Sequence, residues 1–157
     1  TTGFCVLLAG AQIAQASRRQ HCISMSSCEA ELYALAELAI ELIYLTYVCK
    51  FIGLDVDGAV NVYTDSKSAH DLCHRFTMAQ NSKHIDRRMY KMRELRGAGL
   101  VNVCHISGDI NPADLYTKIL SRQVFEKHRK VYCRQRENCV KNEMMKKYCD
   151  VSIMQNK

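Results

Sequence analysis

Tryptophan is absent from the 157 residues, and proline occurs once, at Pro112. No run of about 18 or more apolar residues occurs, so no stretch reads as a transmembrane helix and no membrane partner is expected. The N-terminus lacks a basic segment followed by an apolar core and a small-residue cleavage site, which argues against secretion. It also lacks an initiating Met; Thr1 opens the chain, which is therefore expected to be a piece of something longer. No internal repeat is visible. The nine cysteines make no CxxC knuckle: Cys22 and Cys28 stand too far apart, as do Cys133, Cys139 and Cys149. An odd count without a secretory signal reads as reduced thiols.

What is present suits a globular domain. The hydrophobic fraction is 48% and the charged fraction 24%, and the length is enough to bury a core. The net charge of +6 fits a polyanionic partner, because Lys and Arg displace counterions from phosphates.

Gly3–Leu8 is apolar and β-prone, Ala9-Gly10 breaks it, and Ala11–Ala16 alternates, which together predict a hairpin. Residues 23–25 are candidates to extend its second strand. Ser26 then stands as an N-cap with Glu29 three residues on, a capping box. Leu32, Leu35, Ala36, Ala39, Ile43 and Val48 recur at helical spacing up to Phe51, and Gly53 is the stop. Ala59–Tyr63 predicts a strand, Ser68–Arg75 a helix, residues 76–83 a loop and Ile85–Leu95 a basic helix. Leu100–Ile106 predicts another strand, and Pro112 opens a helix to about Ile119. From Val131 the chain is charged and weakly helical. Strands alternating with helices predict an α/β (α+β) domain.

Three acidic residues stand out by position. Asp65 follows a strand at its C-terminal end, where open α/β sheets build their sites. Glu31 lies in the first turns of the long helix, and Asp114 in the first turn after a later strand. Carboxylates from three elements suit hard cations such as Mg²⁺, which take oxygen ligands beside phosphates. Taken singly, Glu31 and Asp114 are equally readable as partners of a helix dipole. His70 and His74 stand i,i+4 with Cys73 between them, but with no third well-spaced ligand they read as an exposed helix rather than a zinc site.

These residues fall in segments that resemble a known family. Ser26-Ser27-Cys28-Glu29-Ala30-Glu31-Leu32-Tyr33-Ala34-Leu35 resembles the copia-type motif LSSTEAEYIAL. Val62–Ala69 (VYTDSKSA) resembles the strand ending in CDNQSA, Lys83–Arg88 (KHIDRR) the KHIDIR signature, and Asn111–Lys118 (NPADLYTK) the closing Q-x-A-D-x-x-T-K helix. Thr2-Gly3-Phe4 resembles the TSGY of the second strand. The family is the ribonuclease H domain of copia-type retrotransposon Pol polyproteins, and the motifs run in family order over residues 1–130.

The resemblance implies cleavage of the RNA strand of RNA–DNA hybrids with two Mg²⁺ ions, or Mn²⁺ in their place. By position it makes Glu31, Asp65 and Asp114 catalytic metal ligands, Glu31 rather than Glu29 because the second Glu of the EAE motif aligns with the catalytic one. It implies a reverse transcriptase domain upstream in the same polyprotein, and an intracellular setting, in the cytoplasm within retrotransposon particles. It implies a ribonuclease H-like mixed sheet flanked by helices. The first, central strand, with its metal-bridging Asp, should precede the TSGY-like motif and is expected to be missing. The gap in the sheet is then expected to be filled by a segment such as 151–155, or to split the sheet. On that basis the fragment is expected to cleave weakly or not at all. The alternative is a degenerate transposon remnant that at most binds nucleic acid.

Lys83, His84, Arg87, Arg88 and Lys91 form a basic cluster predicted to contact hybrid phosphates, with Arg18 and Arg19 as a second set. Hybrids would be read by shape and 2′-hydroxyls rather than by base sequence. No catalytic histidine is assigned. Residues 131–157 read as a basic, weakly helical C-terminal tail beyond the domain.

Overall fold

A computed structural model of the chain describes residues 1–21, 24, 26–56, 58–75, 86–132 and 152–156. Strands β1 (Thr2–Leu8) and β2 (Ala11–Arg18) form the expected antiparallel hairpin, with Thr2 opposite Arg18 and Leu8 opposite Ala11. Ala9 and Gly10 have φ of 51° and 76°, the primed-turn geometry that matches strand twist. β2 ends at Arg18, and residues 23 and 25 of its anticipated extension lie outside the described residues.

Helix α1 (Ser27–Phe51) starts where the capping residues place it. Ser26 is extended, and its Oγ accepts a hydrogen bond from the Glu29 N–H at 3.1 Å, meeting one of the donors a helix start leaves open. The helix closes at Ile52, before Gly53 at φ 77°. By length and composition α1 could cross a bilayer. Its first half is instead one wall of the core: Leu32, Leu35, Leu38, Ala39 and Leu42 are buried with Phe4, Val6, Val60 and Val62. Farther along, Ile40, Tyr44, Tyr47 and Phe51 are exposed.

There follow β3 (Val60–Thr64), α2 (Lys67–His74), α3 (Asp86–Gly97), β4 (Val101–His105), two 3₁₀ turns (Gly108–Ile110 and Pro112–Tyr116), α4 (Arg122–Tyr132) and β5 (Ser152–Asn156). The strands make one mixed sheet in the order β2-β1-β5-β3-β4. β5 runs antiparallel to β1, with Gly3 opposite Asn156 and Leu7 opposite Ser152. It runs parallel to β3, with Asn61 opposite Ser152 and Thr64 opposite Gln155.

The middle of the sheet is held by residues 152–156, close to the 151–155 segment expected there, and the sheet does not split. The physical reason is the cost of edges. Without β5, both β1 and β3 would leave a row of backbone N–H and C=O groups without ladder partners inside the sheet. Residues 152–156, read from sequence as part of a weakly helical tail, are drawn into a strand by these two ladders.

Side chains alternate across β1, so it is buried on both faces. Phe4 and Val6 join α1, α2 and α3 on one side, while Cys5 and Leu7 meet Ile106, Ala113, Tyr116 and Tyr132 on the other. The protein is an α/β domain, a mixed sheet between two layers. Two local expectations change. The helix predicted from Pro112 to Ile119 is a 3₁₀ turn ending at Tyr116. The Asp114 carbonyl accepts from both Thr117 and Lys118 N–H groups, at 3.2 and 3.0 Å, which closes it. Helix α4 is additional: Val124, His128 and Tyr132 recur every fourth residue on one face, and the fully buried one of the three is His128.

Candidate functional site at the carboxyl end of the parallel strands

The parallel strands β5, β3 and β4 all end on one edge of the sheet, and in antiparallel register that edge also holds the start of β1 and the end of β2. Asp65 is the first residue beyond β3 and is half-buried. Thr64 before it is fully buried and accepts from the Ser66 N–H at 3.2 Å. Ser66 in turn caps α2, accepting from the Ala69 N–H at 3.3 Å. The chain thus turns sharply at Asp65. His105, at the end of β4, places its Nε2 3.2 Å from the Asp65 carbonyl oxygen. The loop after β4 runs past the carboxylate: a Cβ added to Gly108 would lie 3.5 Å from Asp65 Oδ2.

Glu31 reaches the same edge from α1. Gln20, just after β2, donates from Nε2 to Thr2 Oγ1 at 3.2 Å and to the Ala30 carbonyl at 3.0 Å. This ties the first turns of α1 to the start of β1. Glu31 is 1% exposed, in the part of the helix where the dipole favours a negative charge.

Asp114 arrives from the opposite face. Asn111, fully buried, caps its turn by accepting from the Ala113 N–H at 3.2 Å, and Pro112 supplies the preset first φ. The Tyr116 carbonyl then accepts from Ser17 Oγ at 2.6 Å, fixing the turn over the hairpin. Asp114 is 8% exposed and holds the Lys118 ammonium at 3.0 Å.

Gly3 makes this approach sterically feasible. A Cβ there would run into Thr117 Cγ2 and lie 3.0 Å from Tyr116 Cβ and 3.2 Å from the Tyr116 carbonyl carbon. Backbone, not just a flexible tip, must move. Gly3→Ala is expected to cost about 1–3 kcal/mol through overpacking and to displace the turn carrying Asp114. An unchanged urea midpoint would contradict this.

The fold therefore brings Glu31, Asp65 and Asp114 to one end of the sheet. It does not bring them into one coordination sphere: among the described residues, no three His, Cys, Asp or Glu side chains group closely enough to hold a single ion. The residues available at the middle strand, Ser152 to Asn156, include no acid.

One neighbour escaped the sequence. His128 of α4 is 2% exposed, and burial lowers its pKa more than the nearby Asp114 charge raises it. Nothing in the surrounding sequence, FEKHRK, singles out the histidine. Folding therefore disfavours protonation at His128. Its contribution is intact above the ordinary histidine value of 6.5 and is lost progressively as pH falls below it. The urea midpoint is expected to drop between pH 7.5 and 5.5, with a smaller drop in His128→Gln. Equal drops in both would assign the effect elsewhere.

The basic residues divide. Arg18 and Arg19 are exposed at the end of β2, on the edge that holds the carboxylates. Arg87 is exposed on α3, whereas Arg88 lies over the Tyr33 ring at 4.1 Å and Lys91 pairs with Glu94 at 3.3 Å. Lys83 and His84 lie outside the described residues.

No protein-family model matches the chain, and no solved structure does. Curated proteins do. The chain is 36% identical over 126 residues to the retrovirus-related Pol polyprotein from transposon TNT 1-94 of Nicotiana tabacum. It is 29% identical over 126 residues to those from transposons RE2 and RE1 of Arabidopsis thaliana. Each match covers 80% of this chain and 9% of the relative. The chain is homologous to a short segment, about a tenth of the length, of plant retrotransposon Pol polyproteins.

Proposed function

We propose that this region is the ribonuclease H-like part of a retrotransposon Pol polyprotein, whose intact form hydrolyses the RNA strand of RNA–DNA hybrids beside a reverse transcriptase domain. The observation that carries the reading is the meeting of Glu31, Asp65 and Asp114, from three separate elements, at the carboxyl end of the parallel strands. The homology to Pol polyproteins supports the same reading.

The donor set suits Mg²⁺ or Mn²⁺. Mg²⁺ keeps several waters and takes one or two carboxylates plus substrate phosphate oxygens rather than an all-protein cage. Carboxylates gathered on one edge, but not in one sphere, fit that mode. Asp65 with Glu31 would hold one ion and Asp114 the other. Bound there, the ions supply an activated water and a counter-charge for the leaving oxygen. Lys118 holds the Asp114 carboxylate at 3.0 Å, and a cation bound there would have to compete with its ammonium. Arg18, Arg19 and Arg87 offer charge to the phosphate backbone, without base readout.

A second reading has a specific observation behind it. The middle strand contributes no carboxylate to join the two ions, which favours hybrid binding with slow or no cleavage in this chain. A labelled RNA–DNA hybrid incubated with Mg²⁺ or Mn²⁺ separates the two. Slow, cation-dependent release of RNA fragments supports the first. Binding that weakens steeply with salt, without cleavage, supports the second. Neither binding nor cleavage would sink both.

A further inference from the structure

At the far end of α2 from Asp65, a cavity of about 160 Å³ is lined by Cys73, His74, Arg75, Arg93, Arg96 and Gly97. Eight residues of α2, at about 1.5 Å each, put it about 12 Å from the carboxylate edge. Among the described residues, three guanidinium groups line it and no carboxylate does. We propose that this cavity is an oxyanion site for a phosphate group, held between Arg75, Arg93 and Arg96.

A plainer role accounts for part of the cluster. Arg93 Nε donates to the Leu72 carbonyl at 3.0 Å and Arg96 Nη1 to the Cys73 carbonyl at 3.1 Å. Both guanidinium groups therefore cap the last carbonyls of α2, whose partial negative charge they offset. That role leaves a remainder. Among the described residues the buried Arg93 Nη2 meets no hydrogen-bond acceptor, and its guanidinium lies 6.0 Å from the Tyr90 ring centroid. Among the described residues Arg75 has Asp71 as its one ion-pair partner, at 4.0 Å, and Asp71 is already engaged by His70 at 3.1 Å.

Among the described residues, nothing else on the lining supplies negative charge. Burial pushes the Cys73 thiol up to about 12, so it is neutral at physiological pH. His74 Nδ1 lies 2.9 Å from the His70 carbonyl, to which it donates. Its other nitrogen is an acceptor when neutral and a donor when protonated, never an anion. Three cations around a cavity large enough for a tetrahedral oxyanion, two of them already oriented by backbone carbonyls, form a preorganised fork for phosphate. The phosphate could belong to a nucleic-acid backbone or be free in solution; the chemistry of recognition is shared.

The test uses the whole chain, with inorganic phosphate in one arm and single-stranded DNA in the other. Phosphate binding is read by calorimetry at fixed ionic strength, with chloride as control. It is expected in the wild type and weakened about tenfold or more in Arg93→Gln. Because Arg93 also caps α2, Arg75→Gln, at an exposed position, serves as the variant that leaves the fold alone, with a loss of several-fold. If both variants also weaken DNA binding, and inorganic phosphate competes with DNA, the site takes a backbone phosphate. If DNA binding is unchanged while phosphate binding falls, it takes a free phosphate. No phosphate binding beyond that of chloride, or binding that Arg75→Gln leaves intact in a folded protein, overturns the proposal.

Discussion

Asp65→Asn is expected to abolish whatever cation-dependent hybrid cleavage this chain shows, a loss of more than about a hundredfold. The magnitude follows from the position of the residue. Loss of an outer-shell partner that merely orients a metal ligand typically costs 10–100-fold, and Asp65 is proposed as a ligand itself. Asn keeps the shape of the side chain and one oxygen but removes the charge. The backbone of Asp65 does separate work, accepting from His105 at 3.2 Å, and that contact survives the substitution. The side chain is half-buried, so the urea midpoint without added cation should move little. With Mn²⁺ present the wild type should gain stability by mass action, and the variant should gain much less. Cleavage equal to wild type in the variant would remove Asp65 from the site. Loss of cleavage with a collapsed urea midpoint would show only that the turn had failed.

The elements most legible in the sequence are those whose local chemistry and tertiary packing agree. Ser26 caps α1 because its hydroxyl meets a helix-start donor, and Leu32, Leu35 and Ala39 face the core because their spacing puts them on one side. Ala9-Gly10 breaks the hairpin where two positive φ angles are needed. The turn at Pro112 was legible as a start but not in its length. Its last residues are held over the hairpin by Gly3 and Ser17, more than ninety residues away in the chain, and no local signal reports such contacts. Helix α4 has a short amphipathic face, but the position buried deepest on it is a histidine, His128, between Val124 and Tyr132.

The candidate site divides along the same line. Asp65 was readable from its own neighbourhood, as an acid directly after a β run. Glu31 and Asp114 owed their selection to motif resemblance, since a first-turn acid is equally a dipole partner. What the sequence could not supply is the means of convergence. Gln20 bridging Thr2 and Ala30, and Ser17 holding Tyr116, are polar residues without pattern, yet they bring the two outlying carboxylates to the edge where Asp65 sits. His128 beside Asp114 and the arginine cavity behind α2 likewise exist only in three dimensions.

The part of the fold on which the site depends most is β5, and Ile153→Pro is expected to disrupt it. Ile153 stands opposite Val6 of β1 and Val62 of β3, in the middle of the sheet, where proline is not accommodated. The substitution removes a ladder N–H and fixes φ near −65°, away from the extended range of a strand. A cost of about 3 kcal/mol or more is expected by analogy with helix interiors, against a total stability of roughly 5–15 kcal/mol for a domain. The loss should appear as a sharply lower urea midpoint, or as a chain without a cooperative transition. Ile153→Ala keeps the N–H, and the difference between the two variants isolates the ladder from the side chain. The consequence for the site is specific. β1 carries Gly3 and is tied to the first turns of α1 near Glu31, while β3 delivers Asp65, and among the described strands β5 is the one paired with both. Breaking it should uncouple the two halves of the edge, so that cleavage falls before the hairpin and the β3–β4 pair are themselves lost. A proline variant with the wild-type midpoint would mean that residues 152–156 do not hold the middle of the sheet in solution.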